Sequence, residues 1–137
     1  MKQIIDAEQL RELTEGQKKK LREWWKPQFG DVLNSIKCGE VVFIYADSQD
    51  RLNFDSDGCE WDIKEYCLPL LNIGKMIEIL KSKSEQITTC YNEKGVELMV
   101  WTEFPEKMQH ISGRLRLSRY KDDSYCDALW QAVRAVL

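Results

Sequence analysis

The sequence predicts an α+β fold: a small, mostly antiparallel sheet with a central hairpin, covered by N-terminal, middle and C-terminal helices. Three observations lead there. Residues 85–103 alternate like two strands joined by the three-residue loop Glu93-Lys94-Gly95, and a glycine ends such a loop in a positive-φ conformation at little steric cost. Residues 72–83 and 122–137 repeat apolar side chains at helical spacing. Residues 40–46 hold the uninterrupted run Val41-Val42-Phe43-Ile44-Tyr45, the pattern of a strand buried on both faces and therefore of a sheet centre. Helices segregated from a hairpin-linked sheet describe an α+β arrangement.

Each element has a local reason. Asp6 caps a short helix through Leu13, and Thr14 with Gln17 forms a capping box that starts a second helix running to about Trp25. Leu21, Trp24 and Trp25 make its buried stripe, and Pro27 stops it. Residues 47–65 read as a long acidic loop, unusual in a compact domain. Asn72 caps the middle helix, whose Ile73, Met76, Ile77 and Leu80 share a face. In the hairpin, the predicted register sets Cys90 opposite Leu98, Thr88 opposite Val100 and Ile87 opposite Trp101. Val96, Leu98 and Val100 then form one row while Met99 and Trp101 point the other way. Residues 114–118 alternate as a short half-buried strand, and Asp122 or Asp123 begins a final helix with Cys126, Leu129, Trp130, Val133 and Leu137 on one stripe. That stripe is expected to seal the Val96 row. The face with Met99 and Trp101 needs a cover from the middle helix or the Trp24-Trp25 segment, and without one becomes a candidate interface.

At 137 residues the expectation is a single domain, 1–137. Twenty basic against 23 acidic residues leave a net charge of −3, which argues against a general nucleic-acid or membrane coat. No apolar run reaches membrane-span length and residues 1–6 do not resemble a signal peptide, so the expected location is the cytoplasm, with no membrane partner. Five widely spaced cysteines and one histidine, His110, lack zinc-ligand spacing. Cys90 and Cys126 read as small core residues.

Chemistry-bearing patterns are sparse. Asn53-Phe54-Asp55-Ser56-Asp57-Gly58 resembles the first half of a calcium loop, but Lys64 stands at its twelfth position, where a bidentate glutamate belongs. Asp55 and Asp57 are therefore weak metal candidates; no metal and no cofactor are expected, and no catalytic residue is assigned. A phosphate loop, a dinucleotide fingerprint and a nucleophile elbow are all missing from the sequence. Two mixtures of cation and aromatic side chain remain. Lys18, Lys19, Lys20, Arg22 and Lys26 flank Trp24 and Trp25, and Arg114, Arg116, Arg119 and Lys121 accompany Tyr120. Alternation puts Arg114 and Arg116 on one strand face, where paired guanidinium groups suit a phosphate or an acidic partner.

Three blocks, LREWWKPQFGD at 21–31, CLPLLNIGKMIEIL at 67–80 and DALWQAVRAVL at 127–137, resemble small proteins of uncharacterised role encoded by phages and prophages of Gram-positive bacteria. The resemblance implies an accessory protein acting inside an infected or lysogenic cell and carries over no catalytic residues. The function expected is that of a non-enzymatic binding protein engaging a host or phage macromolecule, such as a protein, or a charged small ligand, through Arg114, Arg116, Arg119, Lys121, Trp24 and Trp25. Two alternatives stand beside it: nucleic-acid binding through the basic patches, and metal-dependent hydrolysis by the acidic loop. Oligomeric state is open at this point.

Overall fold

The computed structural model of the chain describes residues 1–28, 30–35, 41–45, 52–54, 60–62 and 66–137. They have an α+β architecture and divide into two compact units, Asp6–Leu71 with Leu137, and Met1–Ile5 with Asn72–Val136.

In the first unit the helix starts follow from local capping. Asp6 accepts the Gln9 amide at 2.8 Å while Gln9 Oε1 accepts the Asp6 amide at 3.1 Å, opening α1 (Ala7–Arg11). Thr14 and Gln17 repeat the exchange at 3.2 and 2.9 Å at the head of α2 (Glu15–Trp24). Strand β1 (Val32–Ser35) is the middle of an antiparallel sheet of order β2-β1-β5, with β2 (Val41–Ile44) and β5 (Cys67–Pro69) on its sides. This corrects the expectation that residues 40–46 form a doubly buried central strand. β2 is a sheet edge, and Val42 and Ile44 are 51% and 65% exposed. An unbroken apolar run does not say how many neighbours a strand has; the tertiary pairing does. Trp25, Leu33, Tyr45 and Cys67 form one core cluster here, with Trp24 partly buried against it. Within the expected acidic loop, β3 (Leu52–Phe54) and β4 (Glu60–Asp62) pair antiparallel, Asn53 opposite Trp61. Asn53, the first position of the calcium-loop resemblance, therefore belongs to a strand ladder. Asp55 and Asp57 lie outside the described residues.

In the second unit, Asn72 Oδ1 accepts the Lys75 amide at 2.8 Å and begins α3 (Ile73–Lys83). The N-terminal segment is tied to it: Ile4 bridges Asn72, the Ile73 amide donates to the Gln3 carbonyl at 3.1 Å, and Lys2 Nζ lies 2.8 Å from Asp127. Strands β6 (Gln86–Asn92), β7 (Gly95–Glu103) and β8 (Leu115–Asp122) form an antiparallel sheet with β7 central. A single 3-10 turn (Glu106–Met108) and the short α4 (Gln109–Ser112) connect β7 to β8. The final helix α5 (Tyr125–Val136) starts at Ser124, not at Asp122 or Asp123: Ser124 Oγ accepts the Asp127 amide at 3.0 Å. Asp122 instead accepts the Asp123 amide, at 2.7 Å.

The hairpin register differs by one residue from the expected one. Asn92 pairs with Gly95, so the loop is Glu93-Lys94, and Cys90, Thr89 and Ile87 face Glu97, Leu98 and Val100. Asn92 Oδ1 accepts the Lys94 amide at 2.8 Å within the loop, a local turn that asparagine side chains form with the backbone two residues on. A one-residue slip exchanges the faces of the slipped strand. Cys90 is consequently exposed rather than a core residue, whereas Cys126 is buried as expected.

The rows of β7 are as expected. Val96, Leu98 and Val100 are buried beneath α5, whose Leu129 and Val133 are fully buried. α3 packs against α5 and β6, so the two helices form one layer on that side of the sheet. The middle helix therefore does not supply a cover for Met99 and Trp101.

Gly95 has φ +125°, and a Cβ there would collide with the backbone carbonyl of Asp122 at the end of β8. Positive φ and a rigid neighbour act together, so Gly95→Ala is expected to cost about 2 kcal/mol. Gly74→Ala, within α3 and meeting only Asn72 Oδ1 at an ordinary 3.5 Å, is expected to stabilise by up to about 1 kcal/mol. Denaturant midpoints of the two variants, moving in opposite directions, check this.

Candidate functional site

The sheet face opposite α3 and α5 is built by alternation from three strands. On β7 it carries Glu97, Met99, Trp101 and Glu103; across the ladder from them stand Lys121, Arg119, Leu117 and Leu115 of β8. On β6 the same face receives Cys90, Thr88 and Gln86. Met99 and Trp101 are half-buried, whereas Leu117, Arg119, Lys121, Cys90 and Gln86 are exposed. An apolar centre is thus bordered by cations.

Both cations meet one carboxylate. Arg119 Nη1 lies 3.3 Å and Lys121 Nζ 3.9 Å from the two oxygens of Glu97, whose side chain is only 17% exposed. The guanidinium and ammonium ends are themselves well exposed, so these pairs add little to stability and leave donors facing water. Beside them, at the hairpin end, a depression of about 280 Å³ is lined by Asn92, Lys94, Glu97, Lys121, Asp122 and Asp123. Its charges are mixed in sign.

The expected arginine cluster is divided by the pleat. Arg116 is opposite Thr102, in register with the helix-covered row, and is exposed at its far end. Arg114 precedes β8, its carbonyl accepting the Phe104 amide at 2.9 Å and its Nη1 lying 3.5 Å from Glu103. Arg119 and Lys121 occupy the opposite face from Arg116. β8 extends to Asp122, four residues beyond the alternation at 114–118, and this extension puts Arg119 and Lys121 into the ladder.

The tryptophan pair is also divided. Trp25 is fully buried, and its Nε1 donates to Asp31 Oδ2 at 2.9 Å, the same oxygen that accepts the Gln28 amide at 2.9 Å. Its ring is a core element. Trp24 is half-buried on the same cluster. Around them, Lys18 pairs with Glu15 at 3.2 Å and Lys20 donates to the Leu137 carbonyl at 2.9 Å, whereas Lys19 and Lys26 are exposed. Glu97 is the residue that sequence reasoning missed. Its alternation with Met99 and Trp101 was visible, but its contact with two cations depends on how β8 is registered. Among the described residues no group of three or more histidine, cysteine, aspartate or glutamate side chains is placed to hold a metal ion, and no helix is long and apolar enough to cross a membrane. No family model, curated protein or solved structure matches the chain.

Proposed function

We propose that the chain is a non-enzymatic accessory protein of phage or prophage origin that binds a host or phage protein through the open face of β6, β7 and β8. One observation carries this reading: Met99, Trp101 and Leu117 sit together on the sheet face opposite α3 and α5, with Arg119 and Lys121 at their border. Half-buried aromatic and sulfur-bearing side chains next to exposed cations are the composition of an interface rather than of an ordinary solvated sheet. A partner carboxylate can compete with Glu97 for both cations. The phage context is supported by the three resembling blocks at 21–31, 67–80 and 127–137.

The test is affinity purification from a bacterium expressing the tagged chain, in parallel with Trp101→Ala, Arg119→Glu and Arg116→Ala. A partner held through this face is lost or weakened about tenfold or more by the first two and retained by Arg116→Ala. A partner retained equally by all three excludes the face. A second reading, single-stranded nucleic acid on the same face, is favoured by the adjacency of Trp101, a stacking surface, to two cations. It requires affinity that falls steeply with salt, and no mobility shift at low salt excludes it.

A further inference from the structure

We infer that β6 is a self-association edge, pairing antiparallel with β6 of a second copy of this chain about a twofold axis at Thr89. The two edges of this sheet differ in kind. β8 carries Arg116, Arg119, Lys121 and Asp122 along its length and contacts α4. β6, seven residues long, reads Gln-Ile-Thr-Thr-Cys-Tyr-Asn, with no charge and no proline. Charges, prolines and covering segments are the devices by which sheet edges avoid pairing with other strands, and β6 has neither of the first two.

The edge is also open where pairing needs it. A two-residue loop closes on a hydrogen-bonded pair, here Asn92 and Gly95, and such pairs alternate along the ladder. The amides and carbonyls of Ile87, Thr89 and Tyr91 therefore point away from β7. Among the described residues, no backbone hydrogen bond from these three leaves the sheet. Cys90, Tyr91 and Asn92 are exposed, Tyr91 by 69% even with its ring against Tyr125 at 6.2 Å.

A second copy fits this edge better than a charged strand does. Centring the pairing on Thr89 overlaps all seven residues, and Ile87, Thr89 and Tyr91, the residues with free backbone groups, become the hydrogen-bonded pairs. Ile87 then faces the second copy's Tyr91, and Thr88 faces its Cys90, so no charge opposes a like charge within the strand. An acidic or basic strand would find no counter-charge on β6. The product is a six-stranded sheet in which the two open faces are continuous, with the closed symmetry usual for dimers. This inference is independent of what the open face binds.

Sedimentation equilibrium of the full chain tests it. A dimer is expected, and Thr89→Pro should make it monomeric, because that N–H points outward and its loss leaves the β6–β7 ladder intact. Cys90→Lys, at an exposed position, brings two ammonium groups close to the axis and should weaken association several-fold; it carries the test if the proline variant proves unfolded by circular dichroism. Register is read by mild oxidation. Thr88→Cys should give a covalent dimer that disappears when Cys90→Ser is added, whereas Gln86→Cys, facing Asn92 of the second copy, should not cross-link. A chain that is monomeric at every concentration overturns the inference, as does a dimer that neither variant weakens or that cross-links equally from position 86.

Discussion

Leu98→Ala is expected to lower the stability of the chain by about 3 kcal/mol, a large fraction of what a domain this size possesses. Leu98 is fully buried in the middle of β7, between Thr89 and Tyr120 on its neighbours and beneath α5. Both walls of the cavity left behind belong to regular elements, so little of it can collapse. Leu117→Ala is the matched comparison. It removes the same atoms from the opposite face, where Leu117 is 38% exposed, and is expected to cost under about 1 kcal/mol. Urea denaturation with unchanged slope separates the two; equal losses would mean that the faces of β7 and β8 are exchanged.

Asp31→Ala is expected to cost a similar amount, about 3 kcal/mol, in the other unit. Asp31 is only 7% exposed, and its Oδ2 accepts both the Trp25 indole N–H and the Gln28 amide. Its backbone also continues the β1–β2 ladder, the carbonyl accepting the Tyr45 amide at 2.8 Å. Truncation leaves the buried indole N–H without its acceptor, at roughly 1–3 kcal/mol for each donor stranded. Asp31→Asn keeps an acceptor oxygen and should cost distinctly less. Trp25→Phe combined with Asp31→Ala should cost less than the sum of the two single changes, because the pair shares one interaction. Thermal or urea unfolding of the four proteins measures this directly, and additivity would mean that the indole–carboxylate contact contributes nothing.

The helices were legible in the sequence because their signals are local. Asp6 with Gln9, Thr14 with Gln17, and Asn72 with Lys75 are three residues apart, and each exchange occurs within one turn. The stripe Cys126, Leu129, Trp130, Val133 and Leu137 is buried throughout, since a 3.6-residue period needs no knowledge of the partner surface. Sheet details were less legible. The apolar run at 41–45 looked central and is an edge, while the mixed segment Val32–Ser35, holding the buried Asn34, is the middle strand. Arg114, Arg116, Arg119 and Lys121 looked like one patch because they are close in sequence, and the pleat sends them to two faces.

The sequence by itself determined the α+β class, the caps of α1, α2 and α3, the buried stripe of α5 and the two rows of β7, all of which depend on residues within a turn or a pleat of one another. Tertiary structure alone decided the hairpin register, the order of the strands and the placement of both covering helices on one side of β6, β7 and β8. The physical reason is that strand pairing joins residues far apart in the chain, and one residue fewer in the hairpin loop shifts every partner of β6 by one. That shift moved Cys90 out of the core and onto the open face beside Glu97, which lies opposite Lys121 of β8.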